Sequence, residues 1–280
     1  MESLFLFLKS VLTVMIPLFF AASGGLFTAV AGTLNIALEG LLLAGAFSSM
    51  AVFYFTGNFP VSVLSAVICS LSLAAVHAFS VFRLRADLFI SGLAVNLLSG
   101  GVCAVLSEKL FFTKGVVSIN GLINTQGLLT AYAVSGVIVL LLIWLSIYKT
   151  PFGYYLRACE KNCETLVSLG INPDFYKAAA LLISGGLCGI GGSFLSLNLG
   201  AYVPEMSSGR GWIALAVIFL GLKKPLGIPA AAFVFAVFEC YSNYAQGFWS
   251  IPADFILAFP YICSLAAMII VSVIPEKSGL

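Results

Sequence analysis

GTLNIALEG, residues 32–40, places a carboxylate and an amide inside an otherwise apolar stretch of the chain. Between residues 10 and 82 the only charged side chain is that of Glu39. An acid at membrane depth is costly, so it usually faces a bundle interior or a water-filled cavity. The glycines at both ends of the stretch permit the backbone to bend or unwind there. The stretch therefore predicts a discontinuous or re-entrant membrane segment near residues 28–40.

The composition of the whole chain indicates that lipid is its solvent. Of its 280 residues, 61% are hydrophobic and 9% are charged, and its mean hydropathy is +1.12. Soluble domains carry about 25% charged residues, so polar groups cannot cover the surface of this chain. The net charge of +2 gives no basic patch for nucleic acid. The seven cysteines form no CxxC pair, which favours reduced thiols over a metal or redox site.

Apolar runs of about 20 residues, the length that crosses a bilayer, recur along the chain. The clear ones are residues 60–81, 88–105, 128–148, 178–197, 225–246 and 255–274. A shorter run ends at residue 222, and residues 4–55 hold either two spans plus a broken one or three short spans. The N-terminus lacks a basic signal-peptide region, so we predict a retained first span. The predicted fold is one all-α polytopic membrane domain over residues 1–280, with eight to ten transmembrane helices and ten preferred.

The basic residues predict the orientation of the spans, because cytoplasmic loops carry an excess of Lys and Arg. The segment 149–177 holds four of them and is placed in the cytoplasm. Alternation of the spans puts both termini on that side, with six further basic residues: Lys9, Arg83, Arg85, Lys223, Lys224 and Lys277. The three that remain outside are Lys109, Lys114 and Arg210.

Four polar side chains on the predicted spans are candidates for lining a substrate pathway: Asn35, Glu39, Ser91 and Asn96. Asn35 and Glu39 are four residues apart, so on a helix they would share one face. Two alternatives remain for Glu39, namely a structural tie between helices and a cytoplasmic turn between short spans. No second carboxylate, nucleophile or ligand cluster accompanies Glu39, so we predict neither a catalytic residue nor a metal site.

The sequence YVPEMSSGRGWIALAVIFLG, residues 202–221, predicts a second broken segment near residues 200–212. Glu205 and Arg210 flank a Ser-Ser-Gly turn, which indicates an external re-entry before a short helix. These two residues would line the external mouth of the pathway, or they would simply pair with each other. The structural glycines assigned to the two broken segments are Gly32, Gly40, Gly209 and Gly211. Single polar residues on other spans, His77 and Glu239, are predicted to be structural.

Two glycine-rich stretches resemble each other. SGGLFTAVAGTLNIALEG begins at residue 23 and SGGLCGIGGSFLSLNLG begins at residue 184. The match is either the trace of an internal repeat, as in many transporters, or a chance similarity in a Gly/Ser/Leu-rich chain. Small residues at these positions also predict close helix packing in lipid.

The longest polar segment, residues 150–177, is too short for an ATPase, a protease or a binding domain. It predicts an amphipathic helix over residues 160–169 that ends at Gly170, the residue type expected at a helix C-terminus. Such a helix between two spans would dock a soluble partner. The alternative is a connecting loop that rests on the lipid headgroups.

Four stretches together resemble the permease family of ABC importers that includes branched-chain amino acid, ribose and nucleoside permeases. In chain order they are GGLFTAVAGTLNIALEGLLLAGAF, RADLFISGLAVNLL, TPFGYYLRACEKNCETLVSLGIN and SSGRGWIALAVIFLGLKKPLG. The pieces LNIALEG and GRGWIALA look like the sub-branch that carries nucleosides, whose relatives carry riboflavin.

The resemblance implies one of two non-identical permease subunits of a heterodimeric pore in the bacterial inner membrane. Its partners would be a cytoplasmic ATP-binding subunit, an extracytoplasmic substrate-binding protein or lipoprotein, and membrane lipid, with no nucleic acid. This chain would bind no cofactor, since ATP and Mg would sit on the ATPase. The family's coupling helix would fall on residues 160–170, although Glu160 and Cys163 replace its usual Gly and Pro. The implied coupling residues are Gly153, Arg157, Glu160, Asn162, Gly170 and Asn172.

The expected function is therefore that of a transport subunit for nucleosides. Riboflavin is the alternative substrate, and a sugar or a branched-chain amino acid is a less favoured one. The chain has no GxxxxGK[ST] phosphate loop, so a partner would hydrolyse ATP. A membrane-embedded enzyme would need several convergent catalytic groups, whereas the polar residues here are isolated. A stand-alone carrier or channel would not need the coupling segment.

Overall fold

The computed structural model describes residues 2–118 and 125–245, and this part of the chain folds into ten helices and one pair of short strands. The helices are α1 (Glu2–Val30), α2 (Leu38–Thr56), α3 (Phe59–Phe82), α4 (Leu88–Phe111), α5 (Thr125–Lys149), α6 (Pro151–Lys161), α7 (Cys163–Ser168), α8 (Pro173–Leu199), α9 (Arg210–Leu220) and α10 (Gly227–Ala245). Among the described residues, six helices are long and apolar enough to cross a membrane, namely α1 to α5 and α8. The predicted all-α polytopic class is confirmed.

The long helices run between two ends of the molecule. At one end, the Glu160 end, α6 contacts the α9–α10 turn through Glu160 and Lys223, and the α3–α4 turn approaches α8 through Arg85 and Asp174. At the other end, the Tyr202 end, β1 (Val117–Ser118) pairs antiparallel with β2 (Ala201–Tyr202). The basic turns after α3 and α9 therefore lie at the same end as segment 149–177, as their charge predicts.

Lys9 lies at the opposite end from the one predicted. The 29-residue helix α1 is about 44 Å long, enough to cross a bilayer once. Thr13, near its start, lines a cavity with Leu199 at the Tyr202 end, whereas Gly32, just after its end, lies against Glu160. The prediction that Lys9 and the N-terminus share a side with segment 149–177 is wrong, because residues 4–55 form two helices rather than three spans.

The second helix begins inside the bundle rather than at its surface. Residues 31–37 are not helical, and Gly40, in the first turn of α2, already contacts Asn96 in the middle of α4. The predicted short run becomes α9, and the predicted span 225–246 becomes α10. The predicted span 255–274 lies outside the described residues, so the total within the predicted range of eight to ten transmembrane helices stays a prediction.

Helix α8 forms the centre of the bundle and packs against α1, α2 and α3 through small residues. A Cβ on Gly192 would meet the backbone carbonyl oxygen of Leu42, and one on Gly189 would lie 2.6 Å from that of Ala66. Such close backbone approach replaces the hydrophobic force that lipid cannot supply. The first glycine-rich stretch runs from the end of α1 through the break into the start of α2, and the second lies on α8, which is also followed by a break and a further helix. This shared order is compatible with both an internal repeat and a chance similarity, so the origin of the match stays open.

Candidate functional site

An asparagine that faces α8 fixes the non-helical backbone of the first broken segment. Gly32 has φ +74°, a left-handed conformation that suits glycine, and it ends the helical path of α1. The fully buried Asn35 donates from Nδ2 to the Ser184 hydroxyl oxygen at 2.9 Å, and its Oδ1 accepts the Ala37 N–H at 3.0 Å. Asn35 thus orders the backbone just before α2. Because this segment is not helical, the prediction that Asn35 and Glu39 share one helix face is wrong.

Glu39 instead binds the N-terminus of α9. The Gly209 N–H donates to its Oε1 at 2.7 Å, and the Gly211 N–H donates to its Oε2 at 2.6 Å. The first N–H groups of a helix have no partner inside the helix, and the helix dipole favours an anion there. Gly209 has φ +81°, and Gly211 packs its backbone onto that of Glu39. The two broken segments therefore meet, and the carboxylate of one satisfies the amides of the other.

Asn96 and Ser99 fix the start of α2 onto α4. The Asn96 Oδ1 accepts the Gly40 N–H at 2.8 Å, while its Nδ2 donates to the Ile36 carbonyl oxygen at 2.9 Å. The Ser99 hydroxyl donates to the Gly40 carbonyl oxygen at 2.6 Å. Side chains from α4 and the acid on α2 thus hold α2, α4 and α9 together at one point. We call this point the Glu39 junction, and its residues are Glu39, Gly40, Asn96, Ser99, Gly209 and Gly211.

The structure brings two of the four predicted pathway residues together. Glu39 and Asn96 belong to the Glu39 junction, and both are partly exposed. Asn35 is buried against α8, and the buried Ser91 lies 2.9 Å from Nδ1 of His77 on α3. The contacts of Glu39 match the alternative of a structural tie between helices. They exclude the other alternative, a cytoplasmic turn between short spans. A pathway role for the four residues stays a prediction.

Asn96→Ala is expected to destabilise the chain by about 2 kcal/mol, because the Gly40 N–H and the Ile36 carbonyl lose their partner at a helix start. The thermal unfolding midpoint in detergent measures the effect. Leu97→Ala is the matched control, since Leu97 is the next residue on α4 and is 80% exposed. Equal midpoints for the two variants would contradict this role of Asn96.

Arg210 pairs with an acid that the sequence did not indicate as its partner. Its Nη2 lies 2.8 Å from the Glu239 Oε1 of α10, and its Nη1 donates to the Met206 carbonyl oxygen at 3.1 Å. Glu205 is exposed, with φ +55°. The alternative in which Glu205 and Arg210 pair is therefore wrong. The sequence contained one indication of this pair: Glu239 is an acid on an apolar span, and such an acid requires a partner.

A cavity of about 330 Å³ opens beside Arg210 at the Tyr202 end. Phe194, Asn198 and Met206 line it together with Arg210. The cavity lies between α1, α8 and the segment before α9, where the sequence predicts the external mouth. The role of Glu205 and Arg210 as residues of that mouth stays a prediction.

The polar segment contains two helices where the sequence predicts one over residues 160–169. Thr150 accepts the Gly153 N–H and Pro151 opens α6, so the Thr-Pro pair is the signal for this earlier start. Asn162 has φ −141°, which separates α6 from α7 and makes the single-helix prediction wrong. Gly170 does end the second helix, with φ +76° and the Ile171 N–H bonded to the Leu166 carbonyl.

The predicted coupling residues all lie at the Glu160 end, where most of them shape this segment. The Gly153 backbone packs onto the carbonyls that end α5, and Asn172 caps α8 by accepting the Asp174 N–H at 3.0 Å. The Arg157 guanidinium lies 4.9 Å from the centre of the Tyr154 ring and 5.4 Å from that of Tyr148. Glu160 accepts from Lys223 at 2.7 Å. A docking role for these residues stays a prediction.

The described residues contain no group of three or more His, Cys, Asp or Glu side chains that could hold a metal ion. The cysteines in this part of the chain are free. Cys159, on α6, is buried near the Pro173 carbonyl oxygen, and this burial raises the pKa of its thiol. A raised pKa disfavours the thiolate, which is the form that binds metals and reacts.

Comparison with known families identifies one that matches almost the whole chain. Residues 7–272 match the family described as "Branched-chain amino acid transport system / permease component". The chain is 30% identical over 279 residues to the nucleoside ABC transporter permease protein NupC of Lactococcus lactis subsp. cremoris, covering 90% of this chain and 87% of that one. It is 29% identical over 278 residues to the guanosine ABC transporter permease protein NupQ of Bacillus subtilis, with the same two coverages.

A relative with a different named substrate also matches. The putative glucose ABC transporter permease protein TsgC13 of Haloferax volcanii is 29% identical over 243 residues, which cover 79% of this chain and 72% of that one. Among solved structures, PsaBC from Streptococcus pneumoniae in complex with Fab matches with a TM-score of 0.57 and 13% identity. The match covers 96% of this chain and 91% of that chain. At this identity the likeness concerns the fold alone.

Proposed function

Because this chain belongs to the family of permease components of branched-chain amino acid transport systems, we propose that it forms half of the translocation path of an ABC importer for nucleosides. Family membership makes the chain a multi-pass membrane component of a transport system rather than an enzyme. It also implies an ATP-binding partner and a substrate-binding partner. A second, non-identical permease subunit would complete the path.

The choice of nucleosides rests on two relatives that align over 90% of this chain, one named for nucleosides and the other for guanosine. A nucleoside is a flat heterocycle with a hydroxylated sugar, so it needs some aromatic surface and a few hydrogen-bonding groups. The cavity beside Arg210 offers hydrogen-bonding groups in Asn198 and Arg210. Riboflavin, with its ribityl chain, makes similar demands and is the alternative substrate.

The proposed orientation places the Glu160 end in the cytoplasm and the Tyr202 end outside. Segment 149–177 and the turns after α3 and α9 carry eight of the thirteen basic residues, which supports this orientation. The ATPase would dock on α6 and α7, and the external receptor would meet the end that carries β1 and β2. A final span over residues 255–274 would return the C-terminus to the cytoplasm.

In the proposed path, the partly exposed Glu39 and Asn96 face the space shared with the second permease. Asn35 and Ser91 are buried, and each hydrogen-bonds to another helix, Asn35 to Ser184 on α8 and Ser91 to His77 on α3. Irregular backbone at membrane depth is tolerated where it is buried in protein or lines a water-filled cavity. The two broken segments at the Glu39 junction have this character, and they are the single observation that carries the path assignment.

The function is tested by isolating the tagged chain in mild detergent with its co-purifying partners, reconstituting the complex and measuring uptake. We expect uptake of radiolabelled nucleosides that requires ATP, and tight nucleoside binding by the co-purified receptor. Titration of the same receptor with riboflavin, followed by quenching of riboflavin fluorescence, distinguishes the alternative. Uptake by the isolated chain without ATP would contradict the proposal.

A further inference from the structure

Glu160 on α6 contacts two separate elements that lead into the membrane. Its carboxylate accepts from Lys223 Nζ at 2.7 Å, in the turn that follows α9. Its Cα lies so near Gly32, at the break after α1, that a Cβ on Gly32 would be 3.1 Å away. The charged pair is about one-third exposed, so water screens it only in part. One residue of the polar segment therefore touches both the break after α1 and the end of α9.

Helix α9 connects this contact to the Glu39 junction. It has 11 residues, which gives a length of about 16 Å. Its C-terminal turn is closed by the Lys223 N–H, which donates to the Ile218 carbonyl oxygen at 3.1 Å. Leu222 and Lys223 both have positive φ, of 55° and 50°, and this conformation gives the turn a defined shape. At the other end the carboxylate of Glu39 holds the α9 N-terminus.

The break after α1 provides a second connection to the same junction. From Gly32, five residues lead to Ala37 and the start of α2, and Asn35 fixes them to α8 on the way. The Ile36 carbonyl is bound by Asn96, which also binds the Gly40 N–H. A displacement of Glu160 would therefore act on the junction through α9 and through residues 32–37 together.

We infer that Glu160 and Lys223 are positioning residues through which movement of α6 is transmitted along α9 to the Glu39 junction. The inference rests on the proposed function, since it requires an ATPase that moves α6. The pair acts through α9 and touches no substrate. Loss of the Glu160–Lys223 ion pair lets ATP hydrolysis continue without opening of the path. Loss of a purely structural contact would instead lower the amount of assembled complex.

The test uses the complete reconstituted importer with four variants: Glu160→Lys, Lys223→Glu, the double variant that exchanges the two charges, and Lys224→Glu. Lys224 is the exposed neighbour in the same turn and serves as the matched control. Size-exclusion chromatography measures assembly. The readout is the ratio of substrate taken up to ATP hydrolysed, because a merely structural role would not change this ratio.

Each single charge reversal is expected to lower the ratio by about fivefold or more, the lower end of typical coupling between linked sites, while assembly and ATPase activity persist. The double variant is expected to recover most of the ratio, and Lys224→Glu is expected to leave it unchanged. Parallel loss of uptake and ATPase activity, or failure of the double variant to recover, would overturn the linkage. Absence of ATP-dependent uptake by the unaltered complex would overturn the proposed function, and the linkage with it.

Discussion

Glu39→Ala is expected to abolish uptake and to destabilise the chain by about 3 kcal/mol, since hydrogen bonds to a charged group contribute about 1.5–3 kcal/mol each. The variant leaves the Gly209 and Gly211 N–H groups without a partner at a helix N-terminus inside the membrane. It also frees α9 from α2, so the two broken segments separate. ATP-dependent uptake and the thermal unfolding midpoint in detergent measure the two effects.

A graded series separates charge from shape at this position. Glu39→Gln keeps the length of the side chain, yet it offers one oxygen acceptor and places an NH₂ donor against the second N–H. We expect its unfolding midpoint to lie between those of the unaltered chain and Glu39→Ala. Glu205→Gln is the control for the unfolding midpoint only, because Glu205 is an exposed acid four residues before Gly209. Full uptake by Glu39→Ala would show that the Glu39 junction has no part in transport.

Gly192→Ala is expected to destabilise the bundle by about 2–3 kcal/mol, the upper range for extra methyl groups forced into packed cores. The new Cβ would meet the Leu42 carbonyl oxygen and would lie 2.8 Å from the Ala46 backbone nitrogen. Backbone atoms cannot rotate away as side chains can, so α2 and α8 must separate. The measurement is the thermal midpoint of the purified chain, together with the yield of monodisperse protein.

Gly186→Ala makes the same chemical change on the same helix and is the matched control. The nearest heavy atom to its new Cβ is Val67 Cγ1, at 3.9 Å, so the methyl group fits in ordinary contact. Alanine is favoured over glycine in a helix by about 1 kcal/mol, so this variant is expected to be neutral or slightly stabilising. A midpoint for Gly192→Ala equal to that of Gly186→Ala would exclude close backbone packing as the basis of the α2–α8 contact.

Local features of the sequence were sufficient for several predictions at the site. Glu39 predicted a break because an acid is costly in lipid, and glycines with the Ser-Ser-Gly turn predicted the second broken segment before Arg210. The basic residues correctly grouped the turns after α3 and α9 with segment 149–177. Lys9 was misplaced because one basic residue near an N-terminus carries little orientation signal. The start of α6 was missed although Thr150 and Pro151 form a recognisable helix-start pair.

Partners across the bundle could not be predicted, because they depend on how distant segments fold together. Glu39 lies 170 residues before Gly209 in the chain, and Arg210 lies 29 residues before Glu239. Because no other charge lies between residues 10 and 82, no nearby residue indicated the partner of Glu39, and any amide or cation on another span was an equally good candidate. Its partners proved to be backbone N–H groups, which every residue except proline carries and which no sequence pattern distinguishes.

The sequence by itself determined that this chain is an all-α membrane protein, that it has broken segments near residues 28–40 and 200–212, and which family of permeases it resembles. These properties follow from apolar runs, glycines and isolated charges, each of which acts over one or two helical turns. Only the tertiary structure decided that the two broken segments meet, that Glu39 holds the N-terminus of α9 and that Glu160 pairs with Lys223. The reason is physical: a buried polar group must find a partner, and the packing of the helices decides which partner is within reach.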